Sequence, residues 1–490
     1  MKKHINIHSV FAAAALSTIL LTASCKKDFL DVQPQAQQPS AEFWKTPDDA
    51  LKGVNAIYAN LRSWNNIAFN AICIESTGSD EADKGSTPTD ATFFNLYDTF
   101  TVTATQGALK DFWTGQYQNI NICNQLLDNI AGITMDETLK ARYIAEAKFV
   151  RAYSYFRLVR AYGRVPLRLH IAIDPSEYNI PQSETADVYA QIEKDLTEAA
   201  AVLPQSYPAS DLGRATKGAA LGMKAKVAMY QKKWTDVLAL TNQVMSMGYD
   251  LFPDYEKGFR AENENNIESL FEVQAEILPG NPDASNSQYS QVQGVAGVMG
   301  WGFNTPSAAL EAAYEAGDPR KDATILFKGE TTPQGDLIPT TVPNDRYNQK
   351  SYVPFSTRVS GFNEGAQQNF RVLRFADILL MNAEAANELN NPTQALTSLN
   401  RVRARARGTN ANVLPDVTVT EQTALRNAIW KERQVELAME NDRYFDVIRQ
   451  GRALQVFGPK GWKANKNEVW PIPFTEINQS GGLLTQNPGY

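Results

Sequence analysis

The chain has 490 residues but only three histidines, and two of these, His4 and His8, fall within the first eight positions. Beyond them only His170 remains. Serine–histidine and cysteine–histidine nucleophiles, and zinc centres built on several histidines, each need at least one well-placed imidazole. One His leaves little room for such chemistry, and His170 reads as a loop or surface residue. Cysteine is as scarce, with three residues, which argues against a disulfide scaffold. Cys73 and Cys123 either pair in an oxidising compartment or stay as two buried thiols. Excess positive charge is also missing. At a formal net charge of −7, nothing supplies a broad phosphate-neutralising face, so bulk nucleic-acid binding is disfavoured. The run Val10–Leu21 has twelve residues, rich in Ala and Leu. It is too short to span a bilayer, which takes about 20.

That run has another reading. Lys2 and Lys3 precede it, and Thr22, Ala23 and Ser24 follow, the order of a secretion signal. Cys25 comes next, so the segment resembles a bacterial lipoprotein signal cleaved before Cys25. Thr22 stands where the usual pattern has Leu, with Leu21 one place early. Residues 1–24 are therefore expected to be a signal peptide, and Cys25 the site of lipid attachment. Residues 25–40, with QPQAQQP at 33–39, are expected to be a tether lifting the body off a membrane.

The whole chain is 43% hydrophobic and 21% charged, and its body reads as folded and mainly α. Thr46, Pro47 and Asp49 predict a capped helix start, with Leu51, Val54, Ile57, Tyr58 and Leu61 on one face. Residues 106–130 and 137–161 are long periodic segments, the second closed by Gly163 and Pro166. Residues 184–202 form one more amphipathic helix. Residues 215–230 with 233–247, and 375–389 with 392–406, form two helix pairs, the second capped by Asn391, Pro392 and Gln394. The pairs align without a gap at an offset of 158. Ala225/Ala383, Ala228/Ala386, Thr235/Thr393, Leu238/Leu396, Asn242/Asn400 and Val244/Val402 are identical. This resembles the tetratricopeptide helix–turn–helix unit. The expected fold is a tetratricopeptide-like α–α superhelical scaffold with long loop-rich insertions and minor β structure. Residues 41–249 form a helical N-terminal part, 250–370 a loop-rich insertion, and 371–490 a helical C-terminal part with a capping tail. A second loop runs from about Ser63 to Tyr97.

Four C-terminal stretches are diagnostic together: FRVLRFADILLMNAEAANELN (370–390), ALTSLNRVRARAR (395–407), IWKERQVELAMENDRYFDVIR (429–449) and VWPIPFTEINQSGGLLTQNPGY (469–490). With YFRLVRAYGRVPL (155–167), the acidic SDE at 79–81 and the lipoprotein-type N-terminus, they resemble the SusD/RagB family across essentially the whole mature chain. The resemblance implies an outer-membrane lipoprotein on the surface of a Bacteroidota-type bacterium. Such a protein captures oligosaccharide or polysaccharide and lies over a SusC-like TonB-dependent transporter.

The residues themselves bear on chemistry. Arg401, Arg403, Arg405 and Arg407, two apart, spread around a helix and make no single basic stripe. Glu432, Glu436 and Glu440, four apart, are expected on one helical face, pairing with Arg between helices rather than catalysing. A sugar site needs an exposed ring and directional polar partners in a rigid pocket. Trp64 and Trp301 are the leading stacking candidates, then Tyr289 and Phe303, with Asn65, Asn66 and Asn304 as amide partners. No cofactor is expected. The run DEADKGSTPTD lacks EF-hand spacing, so Asp80, Glu81 and Asp83 suggest at most a structural calcium ion. A non-catalytic glycan-binding subunit is the preferred reading. A peptide- or protein-binding subunit of the same kind of transporter is the alternative. A glycoside hydrolase, needing two carboxylates across a sugar bond, comes third.

Overall fold

A computed structural model of the protein describes residues 43–278, 280–281, 284–357 and 365–490. The expected signal, Cys25 and the tether lie outside these. The principal helices are α1 Pro47–Leu61, α2 Trp64–Ile67, α3 Phe69–Glu75, α4 Gly107–Asn129, α5 Glu137–Tyr162, α6 Thr185–Val202, α7 Lys217–Tyr230, α8 Trp234–Met245, α9 Phe375–Glu388, α10 Pro392–Arg407, α11 Gln422–Glu436 and α12 Arg443–Arg449. Their starts follow local chemistry. The Thr46 hydroxyl accepts from Asp49 N, and the Asp49 carboxylate accepts from Thr46 N at 2.8 Å. At α10 the Asn391 side chain accepts from Gln394 N and Pro392 opens the helix. α5 stops at Gly163, whose φ of +72° disfavours a side chain.

The helices stack as a chain of neighbours. α1 packs on α4, α4 on α5, α5 on α6, α6 on α7, α7 on α8, and α8 directly on α9, which packs on α10 and α11. The two sequence-related pairs, α7–α8 and α9–α10, are therefore adjacent in space, and everything between Met245 and Phe375 loops out of the array. Small residues permit this. Ala225, Ala228, Ala383 and Ala386 are buried, and a Cβ on Gly222 would sit 2.8–2.9 Å from Leu373, Ile378 and Leu270.

The looped-out segment holds most of the strands. They form two-stranded antiparallel pieces: β1 (Ala82–Gly85) with β5 (Phe303–Pro306), β2 (Val165–Pro166) with β3 (Gln182–Ser183), β4 (Ser269–Val273) with β8 (Phe370–Arg374), and β6 (Ile325–Phe327) with β7 (Arg346–Asn348). The 63–97 segment is more regular than a loop. It contains α2, α3, β1 and a helix at Phe94–Asp98, because Ile67, Ile72, Ile74 and Phe94 are apolar enough to be drawn fully into the core.

Between insertion and array lies a buried ionic network. Glu436 accepts from Arg320 and Arg405 and pairs with Arg374. Glu432 pairs with Arg320 and Arg403, and Glu440 with Arg374 and Lys350. The four arginines of α10 diverge as their spacing requires: Arg401 to Asp250, Arg403 to Glu315 and Glu432, Arg405 to Glu268 and Glu436, Arg407 to Asp416. One expectation needs correction. Glu440 does not share a helical face with Glu432 and Glu436, because α11 ends at Glu436 and Met439 and Asn441 take left-handed φ values of 64° and 66°. Glu440 reaches Arg374 from a turn instead. Three guanidinium groups and the Lys350 ammonium around Glu436 hold its carboxyl down at about 2 despite complete burial.

The C-terminal tail returns to the start of the chain. Trp470 N donates to Ala161 O at 2.7 Å, its indole N–H donates to Ile74 O, and the Asn487 amide donates to Tyr162 O. The acidic SDE motif is explained the same way. Asp80 receives two hydrogen bonds from Arg443 at 2.7 and 2.8 Å, joining the first hundred residues to α12.

Candidate functional site

β1 and β5 bring two distant tryptophans together. Ser86 N donates to Gly302 O, and Trp301 N donates to Gln291 O at 2.8 Å. The turn is tight enough to demand glycine at 300, where a Cβ would lie 2.1 Å from Gln291 O. Trp301 is thereby delivered to Trp64 at the start of α2, with ring centroids 5.7 Å apart and planes inclined by 59°. Trp64 in turn stacks on Phe69 at 5.4 Å. Both indoles are half-buried, so each keeps part of its surface for contact outside the protein. Beside Trp64 opens a cleft of about 380 Å³, lined also by Arg62, Ser63, Asn286 and Gln288. That volume lies within the roughly 300–1,000 Å³ of small-ligand sites.

The other residues singled out from sequence fall behind this face. Phe303 is 2% exposed and stacks on Phe94 at 5.0 Å. Tyr289 is 5% exposed with its ring 5.0 Å from Phe370. Asn304 is fully buried, adopts φ 52° and donates to Gln293 Oε1 at 2.9 Å. These three support the platform from the core rather than meeting a ligand. All of β5 is buried, with Phe303 against Phe69 and Phe94, while Tyr289 packs on Phe370; these are long-range contacts that local polarity of the sequence does not reveal. Asn65 is half-buried and accepts from Asn70. Asn66 is buried, accepts from Gln116 at 2.7 Å and donates to Asn60 O. Phe69 and Phe93, both half-buried in the same ring cluster, were not singled out; their place beside Trp64 in a nominal loop was the available signal.

The acidic run does not converge. Asp80 is held by Arg443, Glu81 is 1% exposed and accepts from Met439 N, and Asp83 points to solvent. Among the described residues no group of three or more His, Cys, Asp or Glu is arranged to hold a metal ion. His170 is exposed and pairs with Asp128 at 2.8 Å. Cys73 and Cys123 are separate buried thiols, pushed up by desolvation.

A helical-repeat scaffold that presents an aromatic platform beside a cleft has the features of a binding protein. Comparison with known proteins agrees. Residues 268–490 match the SusD family, and residues 28–229 match a group described as starch-binding and associating with the outer membrane. A SusD-like protein of Bacteroides ovatus is 30% identical over 97% of this chain and 90% of its own length. SusD-like protein P2 of Formosa agariphila is 27% identical over 94% and 96%. The solved structure of a laminarin binding SusD-like protein superposes with a TM-score of 0.80 at 30% identity, covering 91% of this chain and all of that one. The chain belongs to the SusD/RagB family of outer-membrane glycan-binding lipoproteins. It is a non-catalytic glycan-binding protein of the cell surface, of the kind found in TonB-dependent uptake systems, lipid-anchored at the outer membrane. SusD-like proteins as a group pair with SusC-type transporters. No helix among the described residues is long and apolar enough to cross a membrane.

Proposed function

We propose that Trp64 and Trp301 form the platform on which a sugar ring stacks, and that the protein passes the captured oligosaccharide to a SusC-type transporter whose outer mouth it covers. The convergence of two half-buried indoles from distant parts of the chain, with Trp64 lining a cleft together with amides and Arg62, carries the reading. An apolar sugar face packs on a ring while its rim hydroxyls take amide and guanidinium partners. Binding at the surface alone moves nothing across a membrane, so a transporter must receive the ligand. The name of the solved relative makes laminarin the first probe, with neutral hexasaccharides of other linkages beside it. In calorimetry Trp301→Ala is expected to weaken binding by about 2 kcal/mol or more, roughly 30-fold, with little change in the melting temperature. Unchanged affinity in the folded variant removes Trp301 from the site. Mild-detergent purification from the native cell is expected to recover a TonB-dependent barrel. Its absence, where other outer-membrane complexes survive, refutes the transporter role.

A further inference from the structure

A second cleft, of about 500 Å³, lies on α4 and shares no lining residue with the cleft beside Trp64. Its floor is one face of α4, where Trp113, Tyr117, Gln118 and Asn121 recur at helical spacing. The loop following β2 and the C-terminal tail form its walls, contributing Tyr178 and Asn179 on one side and Glu476 and Gln479 on the other. None of the elements that deliver Trp301 takes part.

Three properties of this cleft point to a ligand. Its aromatic surface is presented, not stored: Tyr178 is 56% exposed, and Tyr117 is half-buried with its ring 5.0 Å from that of Trp113. Its walls are pre-organised. The Tyr117 hydroxyl donates to Pro166 O at 2.7 Å and that of Tyr155 to Arg168 O at 2.7 Å. Asp128 accepts from Ile171 N at 2.8 Å, Asp174 and Glu177 cap the short helical turn before Tyr178, and Arg168 donates to the carbonyls of Glu177 and Tyr178. A rigid rim lowers the ordering cost of binding. Lastly, the exposed polar lining is mostly uncharged amide. The two basic side chains there are occupied, Arg168 by those carbonyls and His170 by Asp128. The amides of Gln118, Asn121, Asn179 and Gln479 stand ready to exchange water for hydroxyls. Rings together with amides and one carboxylate suit a neutral polyol with an apolar face, and suit neither a phosphate nor an apolar chain.

We infer that this cleft is a second saccharide-binding site, taking one or two neutral sugar residues, with Tyr178 as the stacking ring and Gln118, Asn121, Asn179 and Glu476 as hydroxyl partners. It extends the glycan reading above and rests on it. Two sites on one rigid body make the second contact with a polysaccharide intramolecular, so long chains are held more tightly than short ones.

The test titrates wild type, Tyr178→Ala, Trp301→Ala and the double variant with laminarihexaose, maltohexaose and cellohexaose, then with laminarin, following stoichiometry by calorimetry. Tyr178 is exposed, so its truncation is expected to leave the melting curve in place. Wild type is expected to take two equivalents of a bound hexasaccharide, each single variant one, and the double variant none. Tyr178→Ala is expected to weaken the polysaccharide at least 10-fold. One equivalent, lost in Trp301→Ala and untouched in Tyr178→Ala, overturns this inference alone. One equivalent that survives Trp301→Ala and disappears with Tyr178→Ala upholds this cleft and overturns the Trp64–Trp301 site. No binding of any probe by wild type overturns both.

Discussion

Glu81 keeps its proton at neutral pH. Desolvation pushes its carboxyl up to about 8, with Asp80 adding to the shift and Arg443 opposing it. One carboxyl oxygen accepts from Met439 N and the other has no partner. The unfolded chain releases this proton near the ordinary value of 4.5. A group raised on folding stabilises fully below the unfolded value, and that contribution is lost as pH rises toward the folded one. Stability attributable to Glu81 therefore falls between about pH 4.5 and 8. Glu264, also raised to about 8 by burial, acts with the same sign. Glu81→Gln, which keeps the shape and the acceptor, is expected to melt progressively higher than wild type as pH goes from 5 to 8. Since Glu264 is present in both proteins, the gap between the two curves reports Glu81. Parallel curves over that window sink the idea. None of this was readable in SDEAD as a string: a run of acids looks like a solvated face or a cation site until packing sends each carboxylate a different way.

At the scale of elements, the repeat tells more than its identities suggest. Asn242 and Asn400 occupy the same repeat position, and each hooks the segment that follows. Asn242 accepts from Asn382 and Gln394 of the next pair, while Asn400 accepts from Val417 N and donates to Val417 O ahead of α11. Asn382 is the matching half of the joint. It is fully buried, donates to Thr241 and Asn242 at 2.9 Å and accepts from Ser398 at 2.8 Å. Asn382→Ala strands the buried Ser398 hydroxyl and removes the bond to buried Thr241, and is expected to cost about 1–3 kcal/mol, seen as a lower urea midpoint at unchanged slope. A loss under 0.5 kcal/mol would mean that water replaces the amide and the joint is not buried as described. The helix pairs were legible because small residues and caps repeat at helical spacing; the α8–α9 contact was not, since 129 positions separate the two helices in sequence.

The whole molecule is closed by its tail. Trp470 is fully buried, stacked on Tyr444 at 5.1 Å and set edge-on to Tyr97 at 5.4 Å, with its indole N–H donating to Ile74 O. One side chain thus touches the first hundred residues and the last fifty. Trp470→Ala is expected to cost about 3–5 kcal/mol, the range for emptying an aromatic site in a packed core. Because the ring belongs to both ends, the melt is expected to shift as a single transition. Two separated transitions, or a shift under 1 kcal/mol, would show that the tail is an accessory and not a closure.

What the sequence determined by itself is whatever depends on neighbours along the chain. Helix caps at Thr46 and Asn391, the paired helices, the divergence of the α10 arginines and the family motifs all follow from spacing and local chemistry, because a helix fixes its own faces within a few residues. Tertiary structure alone decided the rest. It placed Trp64 against Trp301, drew Tyr289, Phe303 and Asn304 into the core, ended α11 before Glu440, and set Asp80 against Arg443. Each of these is a contact between segments far apart in the chain, and whether a ring in a polar loop is buried or presented depends on what the other segment brings to it.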